Sequence, residues 1–191
     1  NITHANRKIP NAVHVTAKTR CVTPQIKKHI LQWKFPDHSL YFHDDNAVYR
    51  LLDYAVDDSH GHELITYLTE SVMCISNGAT LTDLWRLVVL YYYGGIYTDL
   101  DNSPGKKYST GLISPETDSF FFRELIGSMS QYYMASSKHH PILLHILSHA
   151  CSKRSLYQTT NNVMRIIPAT NTGPKAVKER MISFLKSVGV E

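Results

Sequence analysis

The chain has few cysteines and no long apolar run. Its three cysteines, Cys21, Cys74 and Cys151, form no C-x-x-C pair, and an odd number cannot close a disulfide framework. We expect buried free thiols, a usage that favours a reducing compartment. No apolar stretch approaches the ~18 residues that span a bilayer. We therefore expect no membrane span in this chain: either it is soluble as it stands, or an anchor lies outside it.

A strong charge of one sign is also missing. The net charge is +4 with 11 histidines counted as neutral, and 19% of the residues are charged against 43% hydrophobic. These fractions are typical of a globular protein. The mild positive charge suits a small anionic ligand such as a nucleotide, and it is too low and too dispersed to indicate a nucleic-acid partner. With 191 residues, we expect one domain, residues 1–191.

Strand-like and helix-like segments alternate along the chain. The predicted strands are 9–15, 38–45, 96–101, 118–125 and 130–137. The predicted helices are 23–34, 46–56, 61–72, 79–93, 140–152 and 172–189. Thr23 is the predicted N-cap of the first helix, and Thr80 or Thr82 that of the helix containing Asp83. Proline stands at or near the start of three helices, as Pro24, Pro141 and Pro174. This alternation favours an α/β domain with helices on both faces of a sheet.

The segment LYYYGGIYTDLDNSPG, residues 90–105, joins a predicted helix to a strand that ends in two acids. We expect Gly94 and Gly95 to end the helix, turn the chain and allow a close approach to a ligand. Asp99 and Asp101 are two residues apart, so on a strand they face the same side and repel each other unless a cation lies between them. Mg²⁺ and Mn²⁺ need only one or two protein carboxylates when substrate phosphates supply further oxygens.

Asp83 and Arg86 lie three residues apart on the preceding helix. The arginine suits a phosphate or sugar oxygen, and the aspartate can accept hydrogen bonds from hydroxyls. Taken alone, such a pair is usually an exposed ion pair worth less than ~1 kcal/mol. A lone D-x-D usually marks a turn, and a run of tyrosines usually packs in a core. The order D-x-x-R, apolar helix, G-G, strand, D-x-D is what favours a functional site.

The segment TDLWRLVVLYYYGGIYTDLD, residues 82–101, resembles the signature of glycosyltransferases with a DXD sugar-binding region. The family pattern is roughly [SA]-D-x-x-R-x-x-x-L-x-x-x-G-G-x-Y-x-D-x-D, with Thr82 here in place of Ser. The family includes initiating mannosyltransferases of yeast-type Golgi, α-1,4-galactosyltransferases and, more distantly, glucosylating bacterial toxins. Four further segments resemble it in family order: IPNAVHVTAKT, LYFHDD, KHHPIL and NTGP.

The resemblance implies a GT-A type fold, a single Rossmann-like domain with a mixed, mostly parallel central sheet and helices on both faces. It implies that Asp99 and Asp101 hold Mn²⁺ (or Mg²⁺) against the diphosphate of a sugar nucleotide, Asp99 also reaching the ribose or sugar. The metal would act as a Lewis acid that stabilises the departing diphosphate.

The resemblance also implies a place for five further residues in the donor-binding pocket. Asp83 and Arg86 would hold the hydroxyls of the donor sugar, with Thr82 next to them. Tyr97 would line the same pocket, and Thr16 would meet the nucleobase through its backbone.

The chain departs from the family at two places. The Trp expected to stack on the base is Ala17 here, which leaves UDP and GDP both open. The chain also ends soon after the T-G-P segment, before the residues that complete the metal and acceptor sites in family members. His139 and His140 are candidates for a third metal ligand, although a histidine beside a proline at a helix start is more often structural.

The sequence therefore predicts a metal-dependent glycosyltransferase. It would transfer a hexose from a UDP-sugar such as UDP-glucose, or second from GDP-mannose, to a glycan or glycoprotein hydroxyl. The alternatives are a sugar-nucleotide-binding relic without catalysis and a haloacid-dehalogenase-like phosphohydrolase using Asp99 and Asp101. A glycoside hydrolase fits less well, because its two carboxyls lie across a cleft. Retention or inversion, the acceptor, and a cytosolic or Golgi-lumenal location stay open.

Overall fold

The computed structural model describes residues 7–58, 68, 75, 78–106, 108–123, 127–151, 159–160, 163–164 and 172–190. The predicted helix at 61–72 lies outside the described residues except at Leu68. Among the described helices, none is both long and apolar enough to cross a membrane.

A five-stranded mixed sheet forms the centre of the described structure. Its strands are β1 (Ala12–Thr16), β2 (Ser39–His43), β3 (Gly95–Thr98), β4 (Ser119–Arg123) and β5 (Met129–Ser136). Their order is β2-β1-β3-β5-β4. Strand β1 is parallel to both β2 and β3, whereas β5 is antiparallel to β3 and β4. The predicted mixed, mostly parallel sheet is confirmed, with β5 as the one reversed strand among these five.

The described helices begin within two residues of the predicted starts. They are α1 (Pro24–Gln32), α2 (Asp45–Asp58), α3 (Gly78–Tyr93), α4 (Pro141–Ala150) and α5 (Pro174–Ser187), with a short 3-10 turn at Thr110–Leu112 and a small hairpin of β6 (Thr159–Thr160) and β7 (Val163–Met164). The helix that contains Asp83, α3, begins at Gly78, so Thr80 and Thr82 lie inside it and the prediction that one of them caps it is wrong. Thr23 caps α1 by accepting from the N–H of Ile26 at 3.3 Å. Proline opens α1, α4 and α5, where its missing N–H costs no helical hydrogen bond.

Helices cover both faces of the sheet. On one face α2, α3, α4 and α5 enclose the larger core, which includes Tyr97 and Met134 from the sheet. On the other face Trp33, directly after α1, packs with Ile96 and Tyr133. Helix α3 is buried nearly all round, which places it at the centre of the larger core and fixes the position of its carboxyl-terminal end, where β3 begins.

The predicted role of the glycine pair is partly wrong. Gly94 and Gly95 do end α3 and turn the chain, with positive φ angles of 64° and 101°. They approach the protein's own backbone rather than a ligand: a Cβ at Gly95 would lie 2.5 Å from the carbonyl oxygen of Ala12, and one at Gly94 would lie 2.8 Å from the N–H nitrogen of Lys138. Glycine is therefore needed so that β3 can pack directly beside β1.

Two other expectations need correction. Strand β3 ends at Thr98, so Asp99 and Asp101 lie in the turn after the strand rather than on it. Of the cysteines, Cys151 is buried as expected, but Cys21 is exposed because it lies in the irregular segment before α1. Cys74 lies outside the described residues.

The buried His14 and the half-buried His43 join β1, β2 and the end of α3. His14 places Nε2 at 3.1 Å from the carbonyl oxygen of Gly94 and Nδ1 at 3.2 Å from Nε2 of His43. Because a carbonyl only accepts, His14 donates from Nε2, and its Nδ1 accepts the Nε2 proton of His43. Burial lowers the pKa of both histidines to about 4, and for His14 the neighbouring imidazole adds to this effect. Both rings are therefore neutral at pH 7.

We predict that acid weakens the fold through this pair. Unfolded histidines bind protons near pH 6.5, whereas the folded ones bind them near pH 4, so the contribution to stability is complete above pH 6.5 and is lost as pH falls towards 4. For His14 that loss is ~3 kcal/mol. Urea unfolding across pH 4–7 should show a steeper fall for the wild type than for His14→Gln, whose amide can still donate to Gly94. Parallel profiles for the two proteins would contradict this account.

Candidate active site

A cavity of about 650 Å³ opens at the carboxyl ends of β1 and β3, between α2 and α3. In parallel α/β sheets this is the edge at which ligands bind. The lining residues used below come from the ends of β1 and β3 and from α2 and α3. They are Thr16, Ala17 and Lys18 at and after the end of β1, Asp45 and Tyr49 on α2, Thr82 on α3, and Tyr97, Asp99 and Asp101 at and after the end of β3.

The cavity brings together five of the seven residues that the sequence predicted for the site. These are Thr16, Thr82, Tyr97, Asp99 and Asp101. The other two, Asp83 and Arg86, are only 8% and 7% exposed and lie behind the cavity rather than in its lining.

Arg86 is the centre of a buried polar network. Its Nη2 lies 3.0 Å from Oδ1 of Asp83, and its Nη1 donates to the carbonyl oxygen of Gln131 at 2.8 Å. The guanidinium carbon also lies 4.8 Å from the ring centroid of Tyr97. The ordinary interpretation of Asp83 and Arg86 as an exposed ion pair is therefore wrong, and the pair links α3 to β5 from within the core.

Asp83 has a partner for each carboxylate oxygen. Arg86 holds Oδ1, and the hydroxyl of Thr172 donates to Oδ2 at 3.1 Å. Thr172 is held in turn, because its carbonyl oxygen accepts from the side-chain amide of Gln131 at 2.9 Å. Burial raises the pKa of Asp83, while Arg86 and then Thr172 act against the rise. Losing either partner would leave a buried carboxylate only half satisfied.

Asp99 is fixed by the same network from the other side. The hydroxyl of Tyr97 donates to Oδ1 of Asp99 at 2.6 Å, and Nη2 of Arg86 lies 3.8 Å from that oxygen. Burial raises the pKa of Tyr97, so its phenol keeps the proton that it donates. Because these contacts all use Oδ1, Oδ2 is the oxygen of Asp99 that remains for a ligand.

Asp101 contrasts with Asp99. It is exposed, and its carboxylate makes no hydrogen bond or ion pair with any residue in the described part of the chain. Its position is nevertheless fixed by Asn102, whose N–H donates to the carbonyl oxygen of Asp99 at 3.1 Å and whose amide donates to Thr98 Oγ1 at 3.1 Å. Trp33 completes the turn by donating to the carbonyl oxygen of Asn102 at 3.0 Å.

The carboxylates of Asp99 and Asp101 fit a hard divalent cation. Over the described ranges, no cluster of three His, Cys, Asp or Glu side chains could hold an ion by protein ligands alone. Mg²⁺ and Mn²⁺ do not require such a cluster, because they are commonly held by one or two carboxylates with substrate phosphates and water. The carboxylate of Asp101 and Oδ2 of Asp99, both beside an open cavity, match that donor set.

His139 and His140 do not line the cavity. The Nδ1 atom of His140 accepts from the N–H of Ile142 and so caps α4, and its Nε2 lies 3.6 Å from Asp118. His139 packs edge-on against Tyr91. These contacts support a structural role for both histidines rather than a role as a third metal ligand.

Four residues of the site were not predicted from the sequence. Thr172 had a signal, because it lies in the T-G-P segment, but nothing local indicated that it reaches Asp83. Gln131 contributes its main-chain carbonyl to Arg86, which no sequence pattern reveals. Lys18 and Tyr49 line the cavity from a loop and a helix, without a motif to mark them.

The fold is that of a GT-A type glycosyltransferase. The solved structure of the PaToxG glycosyltransferase is similar, with a TM-score of 0.65 and 18% sequence identity over 95% of this chain and 72% of that chain. At this identity the similarity concerns the fold alone. A comparison with curated proteins finds no match.

Residues 8–120 match the family model described as the glycosyltransferase sugar-binding region containing the DXD motif. This match covers more than half of the chain, including β1, α3 and the Asp99–Asp101 turn. The chain therefore belongs to this family of glycosyltransferases, as its resemblance in sequence suggested.

We predict that Thr172→Val destabilises the fold by about 1–3 kcal/mol, because the buried Oδ2 of Asp83 loses its donor while the side-chain volume is kept. Thr172→Ser is the matched control, since it retains the hydroxyl. Urea unfolding at pH 7 measures both. Equal stability of the Val and Ser variants would show that the Thr172 hydroxyl does not stabilise Asp83.

Proposed function

We propose that the cavity binds a nucleotide-diphosphate sugar together with Mn²⁺ or Mg²⁺ and transfers its hexose to a glycan or protein hydroxyl. A UDP-sugar such as UDP-glucose is the first choice of donor, and GDP-mannose is the second. The observation that carries the proposal is the pair Asp99 and Asp101, one held and one unpaired, at the cavity of a chain from the DXD family.

The two carboxylates would hold the metal against the donor diphosphate. Asp101 would bind through its unpaired carboxylate, and Asp99 would contribute Oδ2. When bound, the metal supplies a Lewis acid that stabilises the charge of the departing nucleoside diphosphate. Lys18, at the β1 side of the same cavity, would add a positive charge near the phosphates.

In this proposal Asp83 and Arg86 also orient Asp99 for metal binding. Their contacts run to Thr172, Gln131 and Asp99, so they fix the orientation of Asp99. The direct contact with donor-sugar hydroxyls that the resemblance implies stays a prediction, as does the nearby role of Thr82.

The base would lie between β1 and α2. Thr16 donates its hydroxyl to the carbonyl oxygen of His43 at 3.1 Å, so its side chain serves the β1–β2 pairing and its main chain is what the base would meet. Ala17 offers no ring. Tyr49 lines the same cavity and is about half exposed, and we propose that its ring stacks on the base.

We predict metal-dependent donor binding. In calorimetric titration, one of UDP-glucose and GDP-mannose should bind only with Mn²⁺, and Asp101→Asn should weaken it by about tenfold or more, equivalent to ~1.4 kcal/mol. Asp53→Asn, an exposed aspartate on α2 that does not line the cavity, is the matched control and should leave binding unchanged.

Binding that needs no Mn²⁺, or no binding of either nucleotide sugar, would contradict the metal site. Binding without Mn²⁺ would favour the non-catalytic sugar-nucleotide-binding relic, and binding of neither nucleotide sugar would favour the phosphohydrolase.

We also predict that Tyr49→Ala weakens UDP binding in the presence of Mn²⁺ by about 5–150-fold, the range expected for loss of ~1–3 kcal/mol of stacking. Tyr49→Phe should retain most of the affinity. Inorganic pyrophosphate has no base, so its binding should be the same in all three proteins. If the alanine variant loses affinity for UDP and pyrophosphate equally, Tyr49 does not contact the base.

A further inference from the structure

A second cavity of about 720 Å³ lies on the other side of α2. It is bounded by Pro10 and Ala12 at the start of β1 and by Tyr93 at the end of α3, whereas the first cavity lies at the end of β1 and the start of α3. Among the described residues, none lines both cavities. The second cavity extends along β1 as far as His14, and the first begins at Thr16. The two cavities adjoin at His43, which lines the second and whose carbonyl oxygen accepts from the Thr16 hydroxyl at 3.1 Å.

Three tyrosines from three elements surround this second cavity. Tyr41 of β2, Tyr54 of α2 and Tyr93 of α3 are 49%, 53% and 54% exposed. Two of the rings are held by neighbours: Tyr41 stacks on His14 at 5.4 Å between centroids, and Tyr54 meets Tyr92 edge-on at 5.5 Å. Open aromatic surface held in a fixed place suits a ligand with a flat apolar face.

The cavity also offers a hydrogen-bond acceptor and a donor. Because His43 donates from Nε2 to His14, its Nδ1 carries a lone pair, and that atom has no hydrogen-bond partner among the described residues although it is not sealed from solvent. Arg50, exposed on α2, is a donor at the same cavity.

We propose that this second cavity binds a neutral oligosaccharide, a part of the acceptor glycan remote from the hydroxyl that receives the sugar. The C–H face of a sugar ring packs against tyrosine, while its hydroxyls donate to His43 Nδ1 and accept from Arg50. The identity of the ligand as acceptor glycan rests on the proposed function, but the carbohydrate chemistry of the cavity does not.

A proline-rich peptide is the main competing occupant, because such segments also bind grooves lined by aromatic rings. Proline has no N–H, so a polyproline segment brings carbonyl acceptors but no donor for His43 Nδ1. Sugar hydroxyls satisfy both the donor and the acceptor of this cavity, and this difference favours carbohydrate.

The test is a calorimetric and saturation-transfer NMR titration of the full chain with maltotriose, α-mannotriose and N,N′,N″-triacetylchitotriose. At least one should bind in the millimolar range. Tyr54→Ala and Arg50→Gln should each weaken trisaccharide binding about fivefold or more, whereas Tyr54→Phe should bind with an affinity close to that of the wild type. Tyr132→Ala is the matched control, since Tyr132 is 44% exposed on β5 and lines neither cavity.

Trisaccharide binding at the second cavity is expected to be independent of nucleotide-sugar binding at the first. This independence separates a failure of the present proposal from a failure of the proposed function. The trisaccharide should bind equally well with and without UDP and Mn²⁺, and Asp101→Asn should still bind it even if that variant binds no nucleotide sugar. The proposal is overturned if no trisaccharide binds, if Tyr54→Ala and Arg50→Gln bind as the wild type does, or if a decaproline peptide binds this cavity in place of the sugars.

Discussion

The buried ion pair of Asp83 and Arg86 is the interaction on which the site depends. Two opposite charges in a core are stable only when each hydrogen-bonding position is satisfied, and breaking such a pair commonly costs ~3–5 kcal/mol. Here the hydroxyl of Thr172 donates a hydrogen bond to Asp83, and the carbonyl oxygen of Gln131 accepts one from Arg86. The pair thereby ties α3 to β5 and to the start of α5, and it brings a fixed positive charge to within 3.8 Å of Asp99.

That positive charge compensates part of the negative charge that the two aspartates bring to this cavity. Asp99 shares Oδ1 with Tyr97 and Arg86, so part of its charge is compensated within the protein, while Asp101 faces the cavity without a partner among the described residues. The glycine pair sets this geometry indirectly. It lets β3 lie against β1, which brings the turn after β3 and the end of β1 to one cavity. The chemistry of the site therefore depends on backbone packing.

Local signals predicted the α/β class and the helices, whereas the GT-A fold and the cavity residues Thr16, Thr82 and Tyr97 were predicted from the resemblance to the family. Apolar periodicity and prolines located α1, α3, α4 and α5. The D-x-D motif identified Asp99 and Asp101, although both lie in the turn after β3 and not on the strand. The sequence could not predict contacts between distant segments: Thr172 and Asp83 are 89 residues apart, and the bond from Arg86 to Gln131 uses a main-chain oxygen. The role of the glycines was assigned to a ligand because only the folded chain shows Ala12 in contact with them.

The most direct test of the account is whether the protein turns over a sugar nucleotide. UDP-glucose and GDP-mannose would be incubated with the wild-type chain, with Mn²⁺ or with EDTA, and the released nucleoside diphosphate measured. The account predicts release of UDP or GDP, by hydrolysis or by transfer to an added glycan, only when the metal is present. Release of phosphate from p-nitrophenyl phosphate, with no turnover of either donor, would contradict it.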